Sequence, residues 1–79
     1  MKENLKNKVY EHLSIFAKNL KAEREVCGLT QKSIATLMGI SPQSYQAYEG
    51  GVAMPTAENL LKISIILEVS IDELFGIEK

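Results

Sequence analysis

Gln43, Ser44 and Gln46 set two side-chain amides and a hydroxyl close together at the start of what reads as a short helix. An amide both donates and accepts, so on an outward face this set is either a solvated surface or a reader of base edges, adenine above all, in a DNA major groove. Covalent chemistry has less to work with. The chain holds one histidine, His12, and one cysteine, Cys27. It has no Gly-rich phosphate loop and no ligand pair at metal spacing, so no enzyme, cofactor, metal site or small-molecule ligand is expected. Cys27 has no partner for an internal disulfide or a zinc site, which fits a reducing compartment, and is expected to be a small buried hydrophobe near a helix end. His12 is expected to be a surface or half-buried structural residue.

The elements that must position the amides lie between Gln31 and Gly50, QKSIATLMGISPQSYQAYEG. Apolar side chains at Ile34, Leu37, Met38, Ile40, Tyr45 and Tyr48 give two short stretches, each with one apolar and one polar face. Gly39 tolerates the positive φ that stops a helix sharply, and Ile40 can plug the gap between the two stretches. Ser41 suits an N-cap and Pro42 the first helical position, where its missing N–H costs nothing. Ala35 is small enough for a second helix to approach closely. The pattern predicts helices over Gln31 to Met38, capped by Thr30, and over Ser41 to Glu49, with Tyr45 and Tyr48 facing inward. That is a helix-turn-helix.

At Leu29-Thr30-Gln31, Ala35, Gly39-Ile40-Ser41, Tyr45, Tyr48, Glu49, Gly51, Pro55, Leu60-Leu61 and Val69-Ser70-Ile71-Asp72-Glu73-Leu74, the chain resembles the lambda-repressor-like (Cro/CI-type, XRE) helix-turn-helix domains. The likeness runs from Phe16 to Gly76. It implies an all-α, compact five-helix bundle, here with an extended first helix, in one domain over residues 1–79. It also implies a bacterial or phage protein that binds double-stranded DNA and regulates transcription, as a repressor, with the second helix of the motif in the major groove. Carried over by position, Gln43, Ser44 and Ala47 face the bases, with Gln46 beside them. Pro42 departs from the polar residue many relatives place there. Gln31 matches a glutamine that holds a backbone phosphate, and Lys32, Ser33 and the backbone around Gly51 are expected to add phosphate contacts. Arg24 and Glu49 match a pair that in many relatives forms a partly buried salt bridge. Arg24 is the only arginine, and its planar fork suits a carboxylate.

Outside the motif, Leu5, Val9, Leu13, Phe16 and Leu20 step by three or four, so Glu3 to Val26 reads as one long amphipathic helix ended by Gly28. Residues 1–12 extend it beyond the usual first helix. A fourth helix capped by Thr56 runs to about Leu67, with Leu60, Leu61, Ile63 and Ser64 as its core face, and Glu68 stands where relatives place a helix-ending glycine. A short fifth helix follows, capped by Ser70. Leu5, Val9, Ile65, Ile71, Phe75 and Ile77 form an apolar set that either marks a dimer or partner surface or closes the core against the first helix.

Composition sets the bounds. At 79 residues, 46% hydrophobic and 24% charged, the chain is an ordinary folded domain with a modest core. No apolar run is long enough to span a membrane, and the start lacks a signal peptide's hydrophobic segment, so a cytoplasmic location is expected. Net charge is −1, but residues 1–33 carry seven basic against four acidic residues and residues 34–79 two against six. That balance, Pro42 and the absence of lysine or arginine between Gly50 and Pro55 leave a second reading open: a protein-interaction module, antitoxin-like or adaptor, that keeps the fold with weak or no DNA binding. If DNA is the partner, a homodimer on an inverted repeat is expected.

Overall fold

Thr30, Ser41, Thr56 and Ser70 each take extended backbone angles and accept, through the hydroxyl oxygen, the N–H of the residue three positions on. Each satisfies a donor that a helix start leaves unpaired, and each opens a helix. In the computed structural model, which describes residues 2–77 and the side chains of 4–77, the elements are α1 (Lys2–Val26), α2 (Gln31–Met38), α3 (Pro42–Glu49), α4 (Ala57–Leu67) and α5 (Ile71–Phe75). Met1 and the charges of Lys2, Glu3, Glu78 and Lys79 lie outside this description. The architecture is all-α, a five-helix bundle whose first helix is 25 residues long.

The helix ends are as local as the starts. Gly39 sits at φ 75°, and its N–H reaches back to the carbonyls of Ala35 and Thr36, which stops α2 and turns the chain into α3 within three residues. Glu68 ends α4 in the same left-handed region, at φ 55°, without the freedom of glycine. Gly76 ends α5 at φ 66°, and a Cβ there would lie 2.8 Å from Ile15 Cγ2, so both conformation and space call for glycine.

Phe16, Leu20, Ile34, Ala35, Met38, Tyr45, Tyr48, Ile63, Leu67 and Leu74 form the buried core. α1 packs on α5 and α3, α2 on α3 and α4, and α4 on α5. The α1–α5 contact is also polar: His12 Nδ1 donates to Phe75 O at 2.6 Å, and Asn19 Nδ2 donates to Glu73 O at 3.1 Å and Leu74 O at 3.3 Å. Side chains of α1 thus satisfy the carbonyls that the short α5 leaves open. Lys62 does the same for α2, donating to Met38 O at 3.2 Å.

Several apolar side chains differ from expectation. Leu61 is exposed although Ile63 is fully buried, because two residues turn a helix by about 200° and the two cannot share a face. Leu37 is likewise exposed on the outer side of α2. Cys27 is exposed rather than buried, standing in the turn after α1 with Sγ 3.8 Å from Leu67 O. Of the two settings left open for the apolar set, Phe75 takes the core one: its ring stacks on Phe16 of α1 at 4.8 Å, half-buried, and Ile71 is half-buried too. Leu5, Val9, Ile65 and Ile77 stay exposed. Leu5 and Val9 lie on the first turns of α1, where every side chain from Asn4 to Tyr10 is exposed. Among the described residues no helix is long and apolar enough to cross a membrane.

Glu68 combines a left-handed backbone with a negative charge at the carbonyl end of α4, and both are unfavourable. Glu68→Gly should therefore stabilise the fold by a net amount of about 0.5 to 1 kcal/mol, after allowing for glycine's freer unfolded state, and raise Tm by about 2 to 6 °C. Thermal unfolding followed by circular dichroism checks this, and a lowered Tm would contradict it.

Candidate nucleic-acid interface

The outward face of α3 is set by what its inward face must bury. Tyr45 and Tyr48 point into the core with their rings edge to face at 6.1 Å, against Ile34, Ala35 and Met38 of α2. Tyr48 is also tied to α4, its hydroxyl accepting from Asn59 Nδ2 at 3.1 Å. With those two positions inward, the 3.6-residue period leaves Gln43, Ser44 and Gln46 exposed, with Pro42 and Ala47 half-buried beside them. Ser44 is partly committed: its Oγ accepts from the Ser41 hydroxyl at 3.0 Å.

The orientation of this face is held by a buried carboxylate. Glu49, on the last turn of α3, takes Arg24 Nε on Oε2 at 2.6 Å and Arg24 Nη2 on Oε1 at 3.1 Å. The Tyr45 hydroxyl donates to Oε2, and Gln31 Nε2 donates to Oε1 at 3.0 Å. Arg24, buried at the end of α1, spends its remaining nitrogen on Leu29 O at 2.7 Å. A buried ion pair is tolerable only when its other polar atoms are also satisfied, and that condition is met. Among the described residues no buried side-chain nitrogen or oxygen lacks a partner.

The acid–base consequences follow. Burial on its own would push the Glu49 carboxyl upward, but the bonds from Arg24, Tyr45 and Gln31 together outweigh it and hold Glu49 below the usual carboxylate range. The bond to Glu49 raises the Arg24 guanidinium further. Burial first, and the adjacent carboxylate second, push the Tyr45 phenol well above its ordinary value. The cluster is ionised as a carboxylate–guanidinium pair with a neutral phenol.

The phosphate-side residues are distributed less simply. Gln31 is half-buried, with one amide hydrogen given to Glu49 and one still available. Lys32 is exposed. Ser33 is used in the cap of α2: its Oγ accepts from Thr30 N at 2.8 Å and its N–H donates to Thr30 Oγ1 at 3.0 Å. The loop amides differ from expectation. Gly50, Gly51 and Val52 donate to Gln46 O at 2.9 Å, Tyr48 O at 3.3 Å and Ala47 O at 3.0 Å. Finishing α3 consumes these N–H groups, so they are not free for a phosphate, and the loop carries no lysine or arginine.

A helix-turn-helix family profile matches residues 20–74, most of the chain, and the chain belongs to that family, in its lambda-repressor-like (XRE) class. Among curated relatives, it is 50% identical over 54 residues to the "Cryptic phage CTXphi transcriptional repressor RstR" of Vibrio cholerae, covering 68% of this chain and 48% of that protein. It is 43% identical over 60 residues to the "Uncharacterized HTH-type transcriptional regulator YqaE" of Bacillus subtilis, covering 76% of this chain and 52% of that one. A third, the "SPbeta prophage-derived uncharacterized HTH-type transcriptional regulator YonR" of Bacillus subtilis, is 42% identical over 58 residues, 73% of this chain and 54% of the relative. The chain thus spans about half the length of the curated relatives it matches. No solved structure matches it.

Tyr45 and Gln31 as further donors to Glu49 were not anticipated. Tyr45 lies four residues before Glu49 on one helix, a spacing that brings side chains together and was readable. Gln31, 18 residues away, carried no such signal. Arg24→Ala strands the carboxylate and should cost about 3 to 5 kcal/mol, lowering Tm by about 12 °C or more. Because the folded-state pKa of Glu49 lies below its unfolded value, its stabilisation is present above roughly pH 4.5 and is lost as pH falls through the folded value. Glu49→Gln should flatten the acid side of the stability–pH curve. A melting curve unchanged by Arg24→Ala would exclude the pair as a support.

Proposed function

We propose that the chain is a sequence-specific double-stranded DNA-binding transcriptional regulator, a repressor that reads the major groove with α3 and acts in the cytoplasm. The observation that carries this reading is the uncharged, exposed amide face of α3, Gln43, Ser44 and Gln46, fixed from behind by the Arg24–Glu49 cluster. Gln43 is the principal base reader, as an amide can bond adenine at both N6 and N7, and Ala47 suits a thymine methyl. Gln31 and Lys32 hold the phosphate backbone beside the start of α2. Family membership and the names of the relatives support the same reading.

A homodimer on an inverted repeat completes the proposal, with half-sites about 34 Å apart. The exposed Leu5 and Val9, with Ile65 and Ile77, are the candidate contact residues. Repression then follows from occupancy of a promoter. The reading as a protein-interaction module is favoured by one observation, the α3–α4 loop without a cation and with its Gly50, Gly51 and Val52 amides turned back on α3.

Selection from random duplexes followed by a salt titration separates the two. A regulator yields an enriched motif and affinity that falls with salt. Recovery of no motif at low salt removes DNA reading and leaves the interaction module. Within the first reading, Gln43→Ala should cost about 1 to 3 kcal/mol and relax one base position, whereas Lys32→Ala should weaken all sequences alike. Sedimentation of the chain with and without residues 1–10 checks the dimer, which predicts a larger species that the truncation loses.

A further inference from the structure

With Gln31 and Lys32 holding the duplex backbone, the interface has a single cation, since the α3–α4 loop has no lysine or arginine and the N–H groups of Gly50, Gly51 and Val52 close α3. The fold supplies a cation from elsewhere in the chain. Lys21 of α1, Gln31 of α2, and Gln46 and Gly50 at the end of α3 line one open concavity, together with Glu49. Lys21 precedes Arg24 by three residues, so both side chains lie on one face of α1. Arg24 is buried against Glu49, while Lys21, one turn earlier, is exposed at the concavity's edge. Glu49 does not neutralise Lys21, because its two oxygens already take four donors and its charge is balanced by Arg24. Among the described residues Lys21 has no ion pair or hydrogen bond, unlike Lys62, which pairs with Glu58 at 3.3 Å.

We infer that this concavity seats one backbone phosphate of the duplex, with Lys21 as its cation and the free amide hydrogens of Gln31 and Gln46 as its directional donors. The inference rests on the DNA-binding reading above and deepens it in two respects. It assigns Lys21, 10 residues before the helix-turn-helix motif, to the interface. It also moves Gln46 from base reading to phosphate holding. The chemistry is suited to a phosphodiester: lysine acts as a point charge and carries no geometric demand, and the amides fix where the oxygens sit.

The test titrates the duplex recovered by selection with salt, using wild type, Lys21→Gln, Lys21→Arg, Gln46→Ala and Lys18→Gln. One phosphate contact contributes about 0.9 to the slope of log affinity against log salt, so Lys21→Gln should flatten that slope by about 0.9. Between about 50 and 200 mM salt, wild type should then lose roughly threefold more affinity than the variant. The selected motif and the melting temperature should not change, Lys21→Arg should restore the slope, and Gln46→Ala should weaken all sequences alike. Lys18→Gln, an exposed lysine outside the concavity, should match wild type. A Lys21→Gln slope equal to wild type, a loss shared equally by Lys18→Gln, or a base position relaxed by Gln46→Ala overturns the seat. Failure of wild type to bind any duplex brings down the DNA reading itself, and the seat with it.

Discussion

The Glu49 carboxylate is the constraint on which the rest of the arrangement depends. It is touched by side chains of α1, α2 and α3 together, through Arg24, Gln31 and Tyr45. A charge in that position cannot be left partly satisfied, because an unpaired buried carboxylate costs more than the bonds it would otherwise make. The three helices must therefore meet at one geometry. A purely apolar contact between them would tolerate sliding by a fraction of a turn, whereas a bidentate guanidinium–carboxylate pair with two further donors does not. The outward face of α3 inherits that precision.

Around this cluster the fold economises on length. With α2 and α3 at 8 residues each, neither would persist alone in water. Hydroxyl caps, left-handed residues and side chains donating to helix-end carbonyls satisfy the termini, while Tyr45, Tyr48, Ile34 and Met38 supply the shared apolar contact. The same economy uses the first amides of the α3–α4 loop, since Gly50, Gly51 and Val52 turn back to close α3. Structural completeness at that point takes those three N–H groups out of reach of a phosphate.

α1 carries two unlike halves. From His12 onward it is a core helix, with Phe16 and Leu20 fully buried and Asn19 and His12 fastening α5. Before that it extends past the bundle with Leu5 and Val9 exposed, along a molecule 41 Å in its longest dimension. A 25-residue helix spans about 37 Å, so α1 alone accounts for most of that length. The basic character of residues 1–33 places positive charge along this helix, on an otherwise weakly charged chain.

The local features were legible from the amino acids alone. Helix starts at Thr30, Ser41, Thr56 and Ser70, the stop at Gly39 and the inward pair Tyr45 and Tyr48 are short-range matters of capping, φ preference and period, and all appear as read. What the chain order did not reveal is which apolar faces find cover and which polar groups find each other. Leu37 and Leu61 were counted on core faces yet remain outside, and of the two settings open to Phe75 it takes the core one, stacked on Phe16 of α1. Gln31 joins Glu49, the loop amides turn inward, and Lys21 arrives beside Gln46, because these depend on how helices far apart in sequence are placed together. Periodicity names a face of a helix; only the assembled bundle decides what that face meets.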